Sequence, residues 1–251
     1  MHITFVQDLI DTIRGKKRRA KNKIIEMFKN NNIDIPKEYK DKINLNIEGQ
    51  NNTIIVPKNN HIIGSLSINI YGDNNKIIFD ENVSVSKELS IFIGQNHPYF
   101  GKVIKSSFTI GKNSSVEEVT YFTCNSNTYC NIEKDCMLSY GITIYNTDAH
   151  PIFKKDTKEV INKVKGITIG EHSWVGMGVT ILKNSIIPKN SIIGYNAVFS
   201  GGGKTQSYCA FAGNPAKIVK ENVDWDSNGA KYGYIENDRN YENLKIKKQK
   251  E

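Results

Sequence analysis

One apolar side chain recurs at every sixth residue over a long stretch of this chain: Ile169, Val175, Ile181, Ile187, Ile193 and Phe199. Four residues after each of the first five stands a small one: Ser173, Val179, Ser185, Ser191 and Ala197. A spacing of six is neither the ~3.6-residue period of a helix nor the ~2-residue period of a strand. It fits a chain that turns a corner every six residues and sends one apolar side chain per face into a narrow interior. Three such faces make one coil of a parallel β-helix, with successive coils about 4.8 Å apart like paired strands. The small residue beside each corner lets the next coil stack closely, so the pattern is a hexapeptide repeat array.

A second internal repeat lies upstream. Leu45 to Asn59 aligns with Ile68 to Asn82 at an offset of 23, which is one 18-residue coil plus a short corner insertion. Asn and Gly recur at the corners because they tolerate left-handed backbone angles. The hexad resumes at Ile110, Val116 and Phe122, slips before Ile132, and continues through Leu138 and Ile144 to His150. Residues 154–166 are polar and out of phase. Removing 13 residues there restores the count to Ile169, which predicts a loop extruded at about 153–166. Before the repeats, Phe5, Leu9, Ile10 and Ile13, then Ile24, Ile25, Met27 and Phe28, fall at helical spacings up to Asn30-Asn31-Asn32 and Pro36. The expected organisation is a basic helical segment over 1–40, a β-helix domain over 41–222 and a polar tail over 223–251, to which no structure is assigned.

A solenoid can absorb most of 251 residues as one domain. No run approaches the roughly 18 apolar residues of a membrane span. The start, Met1-His2-Ile3-Thr4-Phe5, lacks the basic-then-apolar order of a secretory signal, so a cytoplasmic protein is expected. Of four cysteines, Cys124, Cys130 and Cys136 are six apart, which predicts stacking on one face of successive coils. The C-x-x-C spacing of metal sites is absent, and no metal is expected. The net charge is +8, with clusters at Arg14, Lys16, Lys17, Arg18, Arg19, Lys21 and Lys23 and at Lys245, Lys247, Lys248 and Lys250. Such clusters suit an anionic polysaccharide or a membrane surface as well as nucleic acid; the plainer reading is a solvated helix face and a loose tail.

Asn146-Thr147-Asp148-Ala149-His150-Pro151-Ile152 is the sequence best placed for chemistry. His150 falls on the inward phase of the hexad where the chain leaves for the loop. A partly desolvated histidine that titrates near neutrality suits a general base, and Asp148 can hold or polarise its ring. The plain alternative is a histidine that only anchors the loop. His2, His61, His97 and His172 sit at the terminus or at corners. A hydratase would need three converging histidines, and His97, His150 and His172 match no such motif.

The run from Asp148-Ala-His-Pro-Ile152 through the loop to Ile169-Gly-Glu-His-Ser-Trp-Val-Gly-Met-Gly-Val-Thr-Ile-Leu-Lys183, and on to Ala212-Gly-Asn-Pro-Ala-Lys-Ile-Val-Lys220, resembles the left-handed β-helix acyltransferases. The resemblance covers roughly residues 105 to 222. Within that acetyl-CoA-dependent family the arrangement is most similar to bacterial sialic-acid and capsular-polysaccharide O-acetyltransferases. It implies that His150 takes the proton of the acceptor hydroxyl, and that Trp174 steadies the carbonyl oxygen or positions the acceptor. It further implies CoA contacts at Met177 and Tyr195, then at Ser200, Lys217 and Lys220, the cations suiting phosphates. Where relatives often carry a Thr-Lys pair and a short Ile-Pro-Pro segment, this chain has Gly201-Gly202-Gly203-Lys204, so Lys204 stands in for the usual lysine or the groove is shaped differently.

The resemblance implies an O-acetyltransferase acting on a cell-surface glycan, assembled as a homotrimer with the CoA groove between subunits. No nucleic-acid partner is expected, and the N-terminal cluster would give at most peripheral contact with the inner membrane. Two other classes stay open: an N-acetyltransferase acting on a nucleotide-linked amino sugar, and a structural β-helix without activity. Residues 1–40 hold no Gly-rich βαβ pattern of the kind that precedes many nucleotide-sugar enzymes, which favours O-acetylation.

Overall fold

The computed structural model describes residues 25–97, 99–201 and 206–228. They form a left-handed parallel β-helix of triangular section. The first face stacks Asn32–Asp34, Thr53–Ile55, Lys76–Phe79, Ser107–Ile110, Tyr129–Ile132, Gly166–Ile169 and Ile186–Ile187. The second face carries Met137–Leu138, Trp174–Val175, Ile192–Ile193 and Cys209–Ala212. The third carries Ile43–Glu48, Ser65–Asp73, Ile142–Tyr145, Thr180–Leu182 and Val198–Phe199. The long strands Ser84–Ile93 and Ser115–Thr123 serve both of the last two faces, bending across the corner at a bulge between Val116 and Glu118.

The hexad positions do what their spacing predicts. Ile169, Val175, Ile181, Ile187, Ile193 and Phe199 all point inward and are buried. So are Ser173, Val179, Ser185, Ser191 and Ala197. Full burial of one such aliphatic side chain is worth about 1.5–3 kcal/mol, so the interior column dominates the stability of each coil. The repeat offset of 23 is the pairing register itself: Leu45 pairs with Ile68, Ile54 with Ile77 and Ile68 with Ile91. Left-handed corners fall mostly on Asn, among them Asn74, Asn113, Asn184, Asn190 and Asn196, with His172 also at a corner at φ 54°.

A buried amide ladder stiffens the early coils. The side-chain oxygen of Asn31 accepts from the backbone and side-chain N–H groups of Asn52, and Asn52 does the same for Asn75. Asn75 passes the ladder to the Ser106 N–H, and Ser106 meets Thr128 at 3.2 Å.

Several expectations need correction. Residues 25–30 are helical, but Asn32–Asp34 already pairs with Thr53–Ile55, so the solenoid starts well before residue 41. The earlier part of the 1–40 segment lies outside the described residues. The phase slips before Phe122 rather than after it. The bulge turns Tyr121 into the core and leaves Phe122 half-exposed on the outer surface.

The extruded loop is also longer than the count implied. First-face strands advance 37 residues from Cys130 to Ile167 but 18 from Ile169 to Ile187, so 19 residues leave the coil. Asn146 and Thr147 still stack, buried, on the coil before; the chain leaves after them, and His150 is exposed rather than inward. Cys124, Cys130 and Cys136 do not stack, because residues six apart occupy successive stations of one coil. Burial pushes the Cys136 thiol up to about 12 and the Cys130 thiol higher still, which leaves both unreactive.

Finally, residues 223–228, read as unstructured tail, lie back on the solenoid through Val223, whose N–H donates to the Tyr208 carbonyl, and through Trp225. Just before them Lys217–Glu221 runs antiparallel to Cys209–Ala212, against the parallel order of the coils.

Candidate active site

The loop that carries His150 leaves the corner between the third and first faces and folds on itself. Phe153 and Val160 form an antiparallel bridge, and the Lys154 N–H donates to the Glu159 carbonyl at 2.9 Å. Its base is a polar knot. Thr147 Oγ1 donates to Asn125 Oδ1 at 2.6 Å, accepts from the Ala149 N–H at 2.9 Å, and lies 2.9 Å from Cys124 Sγ. Ala149 takes a left-handed turn at φ 62°, which swings His150 outward.

One backbone contact and one side chain then hold the histidine backbone. The His150 N–H donates to the Asp148 carbonyl at 2.6 Å. Asn162, on the returning limb, donates to the His150 carbonyl at 2.9 Å and to Asp148 Oδ2 at 2.7 Å, while its oxygen accepts from the Ile152 N–H at 2.8 Å. Lys183 Nζ reaches the same Asp148 oxygen at 3.0 Å and ties the loop to the next coil. The Asp148 carboxylate thus engages Lys183 and Asn162 instead of the imidazole. The imidazole itself faces Phe100, with ring centroids 6.2 Å apart.

Asn162, Lys183 and Phe100 escaped the reading of the sequence. Phe100 could have been found from spacing. First-face strands advance 31 residues from Ile77 to Phe108, so this coil also extrudes a loop, here from the corner that holds His97 and Phe100. Asn162 gave no such signal, because a single amide in a polar loop has no period to break.

Trp174 stands on the outer side of the second face, between Met137 and Ile192 in register. It is 37 % exposed, and its indole N–H points to Ser139 Oγ at 3.4 Å. Met177 and Tyr195 follow at the corner between the second and third faces, one coil apart, and the Asn196 N–H donates to the Met177 carbonyl. Gly178, at φ 70°, makes that corner: a Cβ there would meet the Asn196 side-chain oxygen at 2.0 Å. Both Met177 and Tyr195 are exposed. Ser200 and Lys217 line one cavity of about 330 Å³ with Phe199 and Phe211 as its apolar wall. Lys220 is exposed on the same terminal strand, and Lys204 lies outside the described residues.

The structure therefore brings the sequence-derived residues together in two groups. His150 and Asp148 sit at one edge of the third face. Trp174, Met177 and Tyr195 line the other edge, with Ser200 and Lys217 further along the axis. Between them runs an outward column of Asn46, Asn69, Phe92, Phe122, Tyr145 and Leu182, without a charged residue. Phe122 and Tyr145 stack at 5.3 Å, and an open cavity of about 540 Å³ lies over this column. Among the described residues no three His, Cys, Asp or Glu side chains gather as a metal ion would need, and no helix is long and apolar enough to cross a membrane.

No family model matches the chain. The polysialic acid O-acetyltransferase of Escherichia coli O1:K1 / APEC is 33% identical to it over 123 residues, covering 48% of this chain and 38% of that one. The enzyme of the same name from Neisseria meningitidis is 39% identical over 94 residues, covering 38% of this chain and 43% of the other. The chain thus matches about two-fifths of the length of these curated relatives. The crystal structure of the polySia-specific acetyltransferase NeuO superposes over 82% of this chain and 99% of its own, with a TM-score of 0.59 and 27% identity. The chain is a left-handed, hexapeptide-repeat β-helix protein that is similar, over part of its length, to two polysialic acid O-acetyltransferases.

Proposed function

We propose that this protein moves an acetyl group from acetyl-CoA to a hydroxyl of a bacterial cell-surface glycan, one containing sialic acid or another anionic sugar. The observation that carries the reading is His150 held by Asn162 at the base of the extruded loop, in a chain similar to polysialic acid O-acetyltransferases. In this mechanism a ring nitrogen of His150 accepts the acceptor's hydroxyl proton as its oxygen attacks the thioester carbonyl. The tetrahedral species collapses, the carbon–sulfur bond breaks, and the proton passes to the departing CoA sulfur. The Trp174 indole N–H steadies the carbonyl oxygen or orients the acceptor. Met177 and Tyr195 lie along the pantetheine path, and Ser200, Lys204, Lys217 and Lys220 meet phosphates.

The two groups of residues flank one face, so a single chain keeps them apart. A homotrimer whose third faces turn toward a common axis would set the loop edge of one copy beside the Trp174 edge of the next. The uncharged, aromatic column on that face suits burial between copies, since interface cores are poor in charge and rich in aromatics. The four free thiols suit a cytoplasmic setting, and peripheral membrane contact rests on the N-terminal charge alone.

Purified protein should release CoA from acetyl-CoA in the presence of a sialic-acid polymer, read against a panel of amino sugars and other capsular polymers. For a polyanionic acceptor the apparent KM should rise with salt, because attraction is screened beyond about 10 Å at 0.1 M. Transfer only to a free amine on a nucleotide-linked sugar would replace this reading with N-acetylation. No transfer and no thermal protection by acetyl-CoA would leave a structural β-helix.

A further inference from the structure

The C-terminal segment contributes a side chain to the Trp174 site. We propose that Trp225 is a positioning residue that holds the Trp174 indole in place, and this rests on the role given to Trp174 above. The contacts are reciprocal. The Trp225 indole N–H donates to the His172 carbonyl at 2.9 Å, and His172 Nε2 lies 3.1 Å from the Trp225 carbonyl. The two rings stack at 4.6 Å, only 10° from parallel. Asp224 Oδ1 approaches His172 Nε2 at 3.4 Å and caps the Trp225 N–H at 2.9 Å.

His172 is the left-handed corner from which the chain enters Trp174–Val175, with only Ser173 between. Trp225 is therefore clamped on the corner that launches Trp174. From there it reaches the second indole, with centroids 6.1 Å apart and planes at 44°. Among the described residues the indole N–H of Trp174 has one polar contact, the 3.4 Å approach to Ser139, at the long end of hydrogen bonding. An exposed indole with one long hydrogen bond has several accessible rotamers. A second aromatic ring packed beside it, offset and tilted, removes most of them. The segment joins solenoid to site through backbone and ring contacts together, so it fixes position and not only stability.

The chain has two tryptophans, which makes the idea directly measurable. In Trp225→Phe and Trp225→Ala, Trp174 is the sole tryptophan, and acrylamide quenching of its emission reads its exposure. Phenylalanine keeps a ring beside His172 and Trp174; alanine does not. In the alanine variant Trp174 should be quenched about twice as efficiently as in the phenylalanine variant, and kcat should fall about tenfold with the acetyl-CoA KM within about twofold, since small misplacements at a reacting centre act on turnover. Phenylalanine should recover most of kcat. Melting temperatures separate this from a merely structural role: a lower melting point with equal quenching and equal kcat overturns the proposal, as do identical quenching and turnover in the two variants. If the wild-type protein acetylates no acceptor, the enzyme reading fails by itself, and the quenching comparison still decides whether Trp225 holds Trp174.

Discussion

The coils before residue 124 and those after it solve the same stacking problem differently. Early first-face strands advance between 21 and 31 residues per coil, whereas Ile169 and Ile187 are separated by the minimal 18. The early coils run long strands straight over the corner between second and third faces, with a bulge in place of a turn. The late coils turn sharply there, on left-handed Gly141, Gly178 and Asn196. Their buried polar groups differ too. The early coils carry an amide ladder in which each Asn serves two neighbours, whereas beyond residue 166 the buried polar side chains are single serine hydroxyls. The lesson is a division of labour. Wide, cross-bonded coils form one end, and compact coils expose a row of tight corners, Met177 and Tyr195 among them. The loop with His150 leaves the solenoid between the two regimes.

The junction between the two regions is where a substitution should cost most. His150→Ala should lower turnover by about 10²–10⁴-fold, the usual loss of a general base, with an unchanged melting temperature because the side chain is exposed. Full activity in the variant would remove the catalytic role assigned to the loop.

Next in size is the ladder. Asn52→Ala strips partners from the Asn75 N–H, the Gly72 carbonyl and Asn31 in a fully buried setting. Each stranded polar group costs about 1–3 kcal/mol, so a loss near 3 kcal/mol is expected in denaturant unfolding, with kcat at low temperature intact. A loss of activity without a loss of stability would show that the early coils do more than stack.

Asn162→Ala should reduce kcat by about tenfold, since it frees the backbone that aims His150 without touching the reaction itself. Rate measurements at saturating acetyl-CoA, beside a melting curve, test this; an unaltered rate would mean that Lys183 and the Ala149 turn suffice.

The smallest effect is expected in the late coils. Ser191 is buried, and its hydroxyl has no partner among the described residues. The same station one hexad later is Ala197. Ser191→Ala should therefore change stability by no more than about 0.5 kcal/mol, or raise it slightly, because an unpaired buried hydroxyl costs more than it gives. A large loss in thermal unfolding would erase the contrast between hydroxyl and amide coils.

These two regions also differ in how far sequence could describe them. The late coils were legible residue by residue, because six-residue spacing maps one position to one environment. Ile169 to Phe199 needed no other information. The offset of 23 likewise fixed the register of Leu45 on Ile68. Where strands cross a corner without turning, that mapping fails: Phe122 keeps the six-residue count yet faces outward, because the bulge after Val116 shifts the phase. The loop failed for a related reason. Restoring a count tells how many residues depart only if the departure point is known, and His150 was counted as one more inward station. Its contacts with Asn162 and the engagement of Asp148 by Lys183 depend on loop geometry that no periodicity encodes. The Trp225 fold-back was hidden for the opposite reason, since its neighbours are polar and aperiodic.

The antiparallel strand Lys217–Glu221 has one further consequence. A stack of parallel coils ends in a row of open donors and acceptors, a template on which another such stack can grow without limit. Here the last coil is met by a strand of opposite direction, and the first by residues 25–30, with Met27 packed into the core. Neither cap presents the register of a continuing coil. Among the described residues, the interior column thus ends at both sides in a segment on which a further coil would not find its register.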